Sequence, residues 1–155
     1  MDGGTTMSSG RFRACVAVYG VLIDGGRVLL ARRAGSGYRD GQLGLPSGHL
    51  DGGEDAVAGL CRELREELAV TVARDQCTLG TVLHRNRERP GDDEYIDLFF
   101  RVTGWSGRPV IAEPGKCTEL VWADLACLPA DTVGYVAGAL RAMQAGQRLV
   151  TVGWS

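Results

Sequence analysis

Two apolar runs near the start of the chain, Ala14 to Ile23 (ACVAVYGVLI) and Val28 to Ala31 (VLLA), are parted by little more than Asp24-Gly25-Gly26. Asp-Gly between apolar runs is a strong hairpin signal. A strand with one wet face alternates apolar and polar residues, whereas these runs are almost continuously apolar. A sheet made from them therefore needs cover on both faces. Two helical patterns can supply it. Asp55 to Leu68 carries Ala56, Gly59, Leu60, Leu64 and Leu68 near helical spacing, with Glu54 and Asp55 in the opening turn to suit the helix dipole. Asp131 to Gln144 carries Val133, Val136, Ala137, Leu140 and Met143 on one stripe.

Between and after these lie further strand patterns, Thr78 to His84, Tyr95 to Thr103 and Glu119 to Ala123. Val70 to Val72 reads as the start of a strand, and Leu149 to Val152 as a last strand or a packed tail. A charged loop, Arg85 to Glu94, joins two strands. Strands and helices interleave, which points to layered α/β or α+β architecture. The 155 residues suffice for one core. Met1 to Gly10 is polar and reads as a frayed tail, leaving residues 11–155 as one domain. Gly35 to Gly53 is a long glycine-rich loop, and loops of that length are often functional.

Charge excludes some functions. Seventeen Lys and Arg face nineteen Asp and Glu, a formal net charge of −2. No basic excess exists to hold nucleic acid or an anionic membrane by bulk electrostatics, and no apolar run reaches the ~18 residues of a membrane span. The expected partner is a small molecule. Cys15, Cys61, Cys77, Cys117 and Cys127 are odd in number and show no Cys-x-x-Cys pair. With no apolar signal segment at the start, reduced thiols in a cytoplasmic protein are the expected state.

The segment from Gly48 to Val70 carries the chemistry. Glu63, Glu66 and Glu67 stand at i, i+3 and i+4 of one helix, hence on one face. Like charges so placed cost a helix a few tenths of a kcal/mol per pair. A divalent cation reverses that sign, and oxygen ligands favour Mg²⁺, Mn²⁺ or Ca²⁺ over zinc. Magnesium takes one or two carboxylates and fills its shell with waters or substrate phosphates. The competing structural reading is a solvated acidic face neutralised by Arg62 and Arg65.

The whole pattern is Gly48, five residues, Glu54, seven residues, then Arg62-Glu63-Leu64-Arg65-Glu66-Glu67-Leu68-Ala69-Val70. It closely resembles the signature of the Nudix hydrolases, departing only where Ala69 replaces the usual glycine. Leu45-Pro46-Ser47-Gly48-His49-Leu50 resembles the preceding loop of that family. Glu113 to Trp122 resembles the later half of its nucleotide-hydrolysing members. The resemblance covers most of Ala14 to Leu140 and implies the α/β class, as an α/β/α sandwich around a mixed central sheet. It implies hydrolysis of a diphosphate linked to another moiety with Mg²⁺ or Mn²⁺. Carried over by position, Glu63, Glu66, Glu67 and the Gly48 carbonyl hold metal, and Glu54 with Arg62 steadies the loop against the helix. The proton acceptor is Glu63, Glu66 or, as in some relatives, a distal acid, here Glu113. Homodimers are frequent in the family.

Other candidates follow from position. Arg32 and Arg33 end a strand beside the long loop, where they can clasp phosphate. Tyr38, Tyr95, Trp105 and Trp122 are candidates to stack a base, although aromatic residues beside strands are more often core. His49 stands in the motif loop, and Asp97 is a polar residue in mid-strand. The resulting expectation is a Mg²⁺-dependent nucleoside triphosphate pyrophosphatase releasing a nucleoside monophosphate and pyrophosphate. A catalytically silent Nudix-like module sensing a nucleotide or sugar phosphate is the alternative, and an isomerase on the same fold a third. The retained carboxylates favour catalysis.

Overall fold

The computed structural model describes residues 10–155, so the expected tail lies outside the described residues except for Gly10. The first hairpin joins β1 (Cys15–Asp24) to β2 (Arg27–Arg33). Its two turn residues, Gly25 and Gly26, have φ of 57° and 81°. Two consecutive positive φ values define the primed turn that matches strand twist, and glycine adopts them at no steric cost.

The strands part after only two pairs, Ile23 with Val28 and Asp24 with Arg27. β1 then runs parallel to β6 (Tyr95–Val102), in register from Cys15 with Tyr95 to Leu22 with Val102. It also takes β4 (Ser47–His49) antiparallel. β2 pairs antiparallel with β3 (Leu43–Gly44) and β7 (Cys117–Asp124). β5 (Cys77–Arg85) joins β6 antiparallel and β8 (Leu149–Val152) parallel. The result is a mixed sheet of order β3-β2-β1-β6-β5-β8, with β4 and β7 added on β1 and β2.

Two helices, α1 (Ala56–Leu68) and α2 (Gly134–Gln144), cover opposite faces. Leu60, Leu64 and Leu68 of α1 pack with Val18, Leu22 and Leu29. Val136, Ala139, Leu140 and Met143 of α2 pack with Ala17, Tyr19, Val21 and Leu30. Successive residues of β1 thus serve different cores, which accounts for its unbroken apolar run. Each fully buried Leu or Val contributes about 1.5–3 kcal/mol. Gly20 lets α1 come close, since a Cβ there would lie 2.9 Å from Leu64 Cδ2.

α1 is capped at both ends. Asp55 Oδ1 accepts the Ala58 N–H at 2.9 Å, satisfying a donor of the first turn. Ala69 ends the helix in the left-handed region, φ 58° and ψ 32°, and its N–H donates to the Arg65 carbonyl at 3.1 Å.

Several sequence expectations need correction. The second helix starts at Gly134, not Asp131. Leu43 donates to the Asp131 carbonyl and Val133 to the Leu43 carbonyl, and these bonds hold 131–133 extended against β3. Val70 to Val72 contributes only one bridge, Thr71 with Ser106. The Gly35 to Gly53 loop contains β3 and β4. Arg85 ends β5 instead of opening a loop. Among the described residues no helix is long and apolar enough to cross a membrane.

Candidate active site

A cavity of about 750 Å³ opens where β1, β4, α1 and the loops after β2, β5 and β6 meet. Gly48, Glu63, Glu67 and Glu113 line one part of it, with Lys116. Arg33 and Tyr38 come from the long loop and its approach. Tyr19, Arg85, Tyr95 and Tyr135 form a deeper aromatic wall.

α1 places Glu63 and Glu67 one turn apart on the side facing β4. Glu67 Oε2 accepts the Ser47 N–H at 3.2 Å. Glu63 lies so close to Gly48 that a Cβ on that residue would collide with its carboxylate. Burial pushes the Glu63 carboxyl above its ordinary value, opposed by Arg62. Burial, reinforced by the charge of Glu63, pushes Glu67 up to about 8. Two carboxylates held together with little water are an unfavourable arrangement, and a cation between them relieves it.

Arg62 braces this arrangement from behind. Its Nη2 and Nε donate to the two oxygens of Glu54 at 2.7 and 3.1 Å, a bidentate pair. Nη1 donates to Glu63 at 2.9 Å and lies 3.3 Å from Glu66, while Nη2 lies 3.2 Å from Asp51. One guanidinium thereby ties the loop carrying Gly48 and Glu54 to the helix carrying Glu63. Hydrogen bonding to Glu54 raises the pKa of Arg62 still further, so its charge is permanent.

The structure brings together some of the residues singled out from sequence. Gly48, Glu63, Glu67, Glu113 and Arg33 all reach the cavity, as do Tyr38, Tyr95 and His49. Glu66 does not line it; its side chain is 50% exposed beside Arg62. Arg32 also lies outside, held by Glu119 at 2.8 Å and Asp131 at 2.7 Å. Trp105 and Trp122 stack on each other, centroids 6.1 Å apart, in the core under α1. Asp97 is fully buried beneath the aromatic wall, one oxygen bonded to Arg85 and the other without a partner among the described residues.

Sequence reading missed Lys116, Arg85, Tyr19 and Tyr135 as site residues. The tyrosines carried one usable signal, a hydroxyl within an otherwise apolar stretch.

The donor set suits a hard divalent cation. Among the described residues no three His, Cys, Asp or Glu side chains are gathered closely enough to hold an ion by themselves. Two carboxylates packed against Gly48 are nevertheless the usual share for magnesium, which completes its shell with water and phosphate.

Comparison with known proteins agrees with the geometry. The NUDIX domain model matches residues 11–140. Among solved structures, a MutT NUDIX hydrolase from Burkholderia pseudomallei is 27% identical, with a TM-score of 0.76 over 84% of this chain and 98% of that one. A NUDIX hydrolase from Nitrosomonas europaea is 21% identical with a TM-score of 0.72, over 88% and 93% of the two chains. The mutator MutT protein from Bacillus halodurans shares 20% identity with a TM-score of 0.69, over 88% and 86%. The two less similar proteins speak for the fold alone.

Proposed function

The chain belongs to the NUDIX family of hydrolases acting on phosphoanhydride-type bonds, and from that premise we propose that it is a Mg²⁺-dependent nucleoside triphosphate pyrophosphatase, with Mn²⁺ as an alternative ion. The observation that carries the reading is the division of one cavity into two parts. Acidic side chains, Glu63, Glu67 and Glu113, stand together with Lys116, while Arg33 lines the same cavity beside Tyr38. The other part is walled by Tyr19, Tyr95 and Tyr135. Phosphates fit the first part and a planar base the second.

Glu63 and Glu67 would hold the cation, with Gly48 beside them, and Glu66, outside the cavity beside Arg62, would have to turn inward to add a further donor. When bound, the ion neutralises charge building on the phosphate oxygens and makes pyrophosphate a better leaving group. The protein's own groups do the rest. Glu54 and Arg62 keep the carboxylates in place. Lys116, 3.4 Å from Glu113, is free to turn to phosphate. Arg33 is anchored by its Nε to the Tyr38 carbonyl at 3.0 Å and by its Nη2 to Ser36 Oγ at 3.4 Å, leaving Nη1 for a phosphate oxygen. Glu113, on the segment whose Ala112 N–H donates to the Glu67 carbonyl at 3.0 Å, accepts the proton of the attacking water. All five cysteines are free, which fits a cytoplasmic setting. The reading needs a small-molecule substrate and no nucleic-acid partner.

The test is product identification on a panel of nucleoside triphosphates in ¹⁸O-water. Nucleoside monophosphate and pyrophosphate should appear, with the label in the monophosphate if attack is at the α phosphorus. Orthophosphate as the primary product would overturn the pyrophosphatase reading. No turnover of any nucleotide, with tight binding retained, would favour the sensing module.

A further inference from the structure

The cavity wall holds a buried cation that phosphate chemistry leaves unused. Arg85 ends β5 with 8% of its side chain exposed. Its Cζ lies 4.2 Å from the ring centre of Tyr135 and 4.5 Å from that of Tyr95. Its Nε donates to Asp97 Oδ2 at 2.9 Å, and Asp97 is fully buried. Two ring faces and one charged hydrogen bond fix the plane of the guanidinium.

The two Nη groups make no hydrogen bond among the described residues. Nη1 lies 3.8 Å from Glu88, too far for one. That carboxylate is already engaged by the Tyr38 hydroxyl and by Arg39, each at 2.8 Å. Unlike the orphaned Asp97 Oδ1, these nitrogens keep contact with solvent in the cavity, so an acceptor entering it can reach them. Arg85 lines the same cavity as Glu63 and Glu67 but belongs to its aromatic wall.

We infer that Arg85 is a specificity-determining residue whose Nη edge reads two adjacent acceptors on the part of the substrate remote from the reacting phosphate. The inference rests on the phosphoanhydride reading above. A fixed planar guanidinium matches two coplanar acceptors bidentately. Such a pair exists on the O6/N7 edge of a 6-oxopurine. It exists equally on the carboxylate of a sugar acid linked to a nucleoside diphosphate. A 6-aminopurine sets a donor beside N7 and opposes N–H to N–H. A neutral sugar offers no carboxylate.

Matched pairs test this: GTP against ATP, and UDP-glucuronate against UDP-glucose. Wild type should favour the acceptor-bearing member of one pair by about tenfold or more in kcat/KM, and the discriminated pair identifies the source. Calorimetric binding of the same pairs in EDTA should show the same preference. Arg85→Lys keeps the charge beside Asp97 but loses the fork, and should bring that ratio close to one through a larger loss on the favoured member than on the disfavoured one. If Arg85→Lys does not fold, the double variant Arg85→Gln with Asp97→Asn removes the cation without stranding a buried anion, and its ratio is read instead. Absence of preference in both pairs overturns the inference. So does a preference that survives substitution, or an equal loss for both members. Discrimination of the sugar pair, with no triphosphate hydrolysed, would reject the triphosphate pyrophosphatase and leave Arg85 as the reader.

Discussion

Gly48 and Glu63 occupy what is sterically one position, since a Cβ on the first would fall on the carboxylate of the second. Arg62 holds Glu63 there at 2.9 Å. Side-chain approach, and not a left-handed backbone, is what requires glycine at 48. Gly48→Ala is therefore expected to displace Glu63 and lower kcat by about 10²-fold, the scale of losing one electrostatic contact in the transition state. Steady-state kinetics in saturating Mg²⁺, beside a melting curve, check it. Full turnover in the variant would show that the contact has no bearing on catalysis.

Glu67→Gln is expected to fold and to lose at least ~10²-fold in kcat. The Ser47 N–H, 3.2 Å away, still finds an acceptor in glutamine, so the loop should keep its place. Near-normal turnover with saturating Mg²⁺ would remove Glu67 from the cation site.

The same residue predicts how stability depends on pH. Its carboxyl is raised from an ordinary 4.5 to about 8, first by burial and then by Glu63. Between those values the folded chain keeps a proton that the unfolded chain has lost. Stability from this source is complete below about 4.5 and is lost as pH rises toward 8. In EDTA, the Tm of wild type should fall relative to Glu67→Gln as pH is taken from 5 to 8. Added Mg²⁺ should reverse that order at pH 8, because an ion bound only by the folded state stabilises it. Parallel Tm differences across the range would contradict the assignment.

Glu113→Gln separates the proton acceptor from the cation ligands. It should lower kcat by about 10²–10⁴-fold and remove the acidic limb of the pH–kcat profile. An unchanged profile returns the role to Glu63 or Glu66.

Ala69 holds a left-handed conformation, φ 58°, that a side chain disfavours by roughly 1–2 kcal/mol. Glycine relieves that cost but adds freedom to the unfolded chain, about 0.4–1 kcal/mol in the other direction. Ala69→Gly is thus expected to stabilise by up to ~1 kcal/mol, raising Tm by about 2–4 °C, with turnover unchanged. A lowered Tm in differential scanning calorimetry would refute it.

The legible parts of this molecule were those written in one stretch of chain. β1 declared its two covered faces by its unbroken apolar run, and α1 its face by the spacing of Leu60, Leu64 and Leu68. The carboxylate row and its Gly48, Glu54 and Arg62 supports lie within one motif, so their pattern was visible before any contact was known. β3 and β4 were not, because strands of two and three residues have no periodicity of their own and form only on β2 and β1. Nor was the aromatic wall. Tyr19, Arg85, Tyr95 and Tyr135 come from three strands and α2, and only tertiary packing brings them together. For Trp105 and Trp122 the commoner reading, core packing, holds, although nothing local shows that they face each other and not a ligand.

The parallel pairing of β1 with β6 has a consequence for the chain as it is made. Everything between them, the hairpin, the long loop, α1 and β5, is synthesised before Tyr95–Val102 exists. Non-local closures of this kind are slow to form, since the intervening loop must be closed before any contact rewards it. Until β6 arrives, β1 lacks its parallel neighbour, the cavity lacks Tyr95, and β5 has no strand to hold Arg85 in place. The nascent chain therefore carries its acidic residues as ordinary surface groups, and any affinity for nucleotide should switch on late in synthesis. A chain released short of Val102 would present bare apolar strand edges, a target for chaperones before it could act on a substrate.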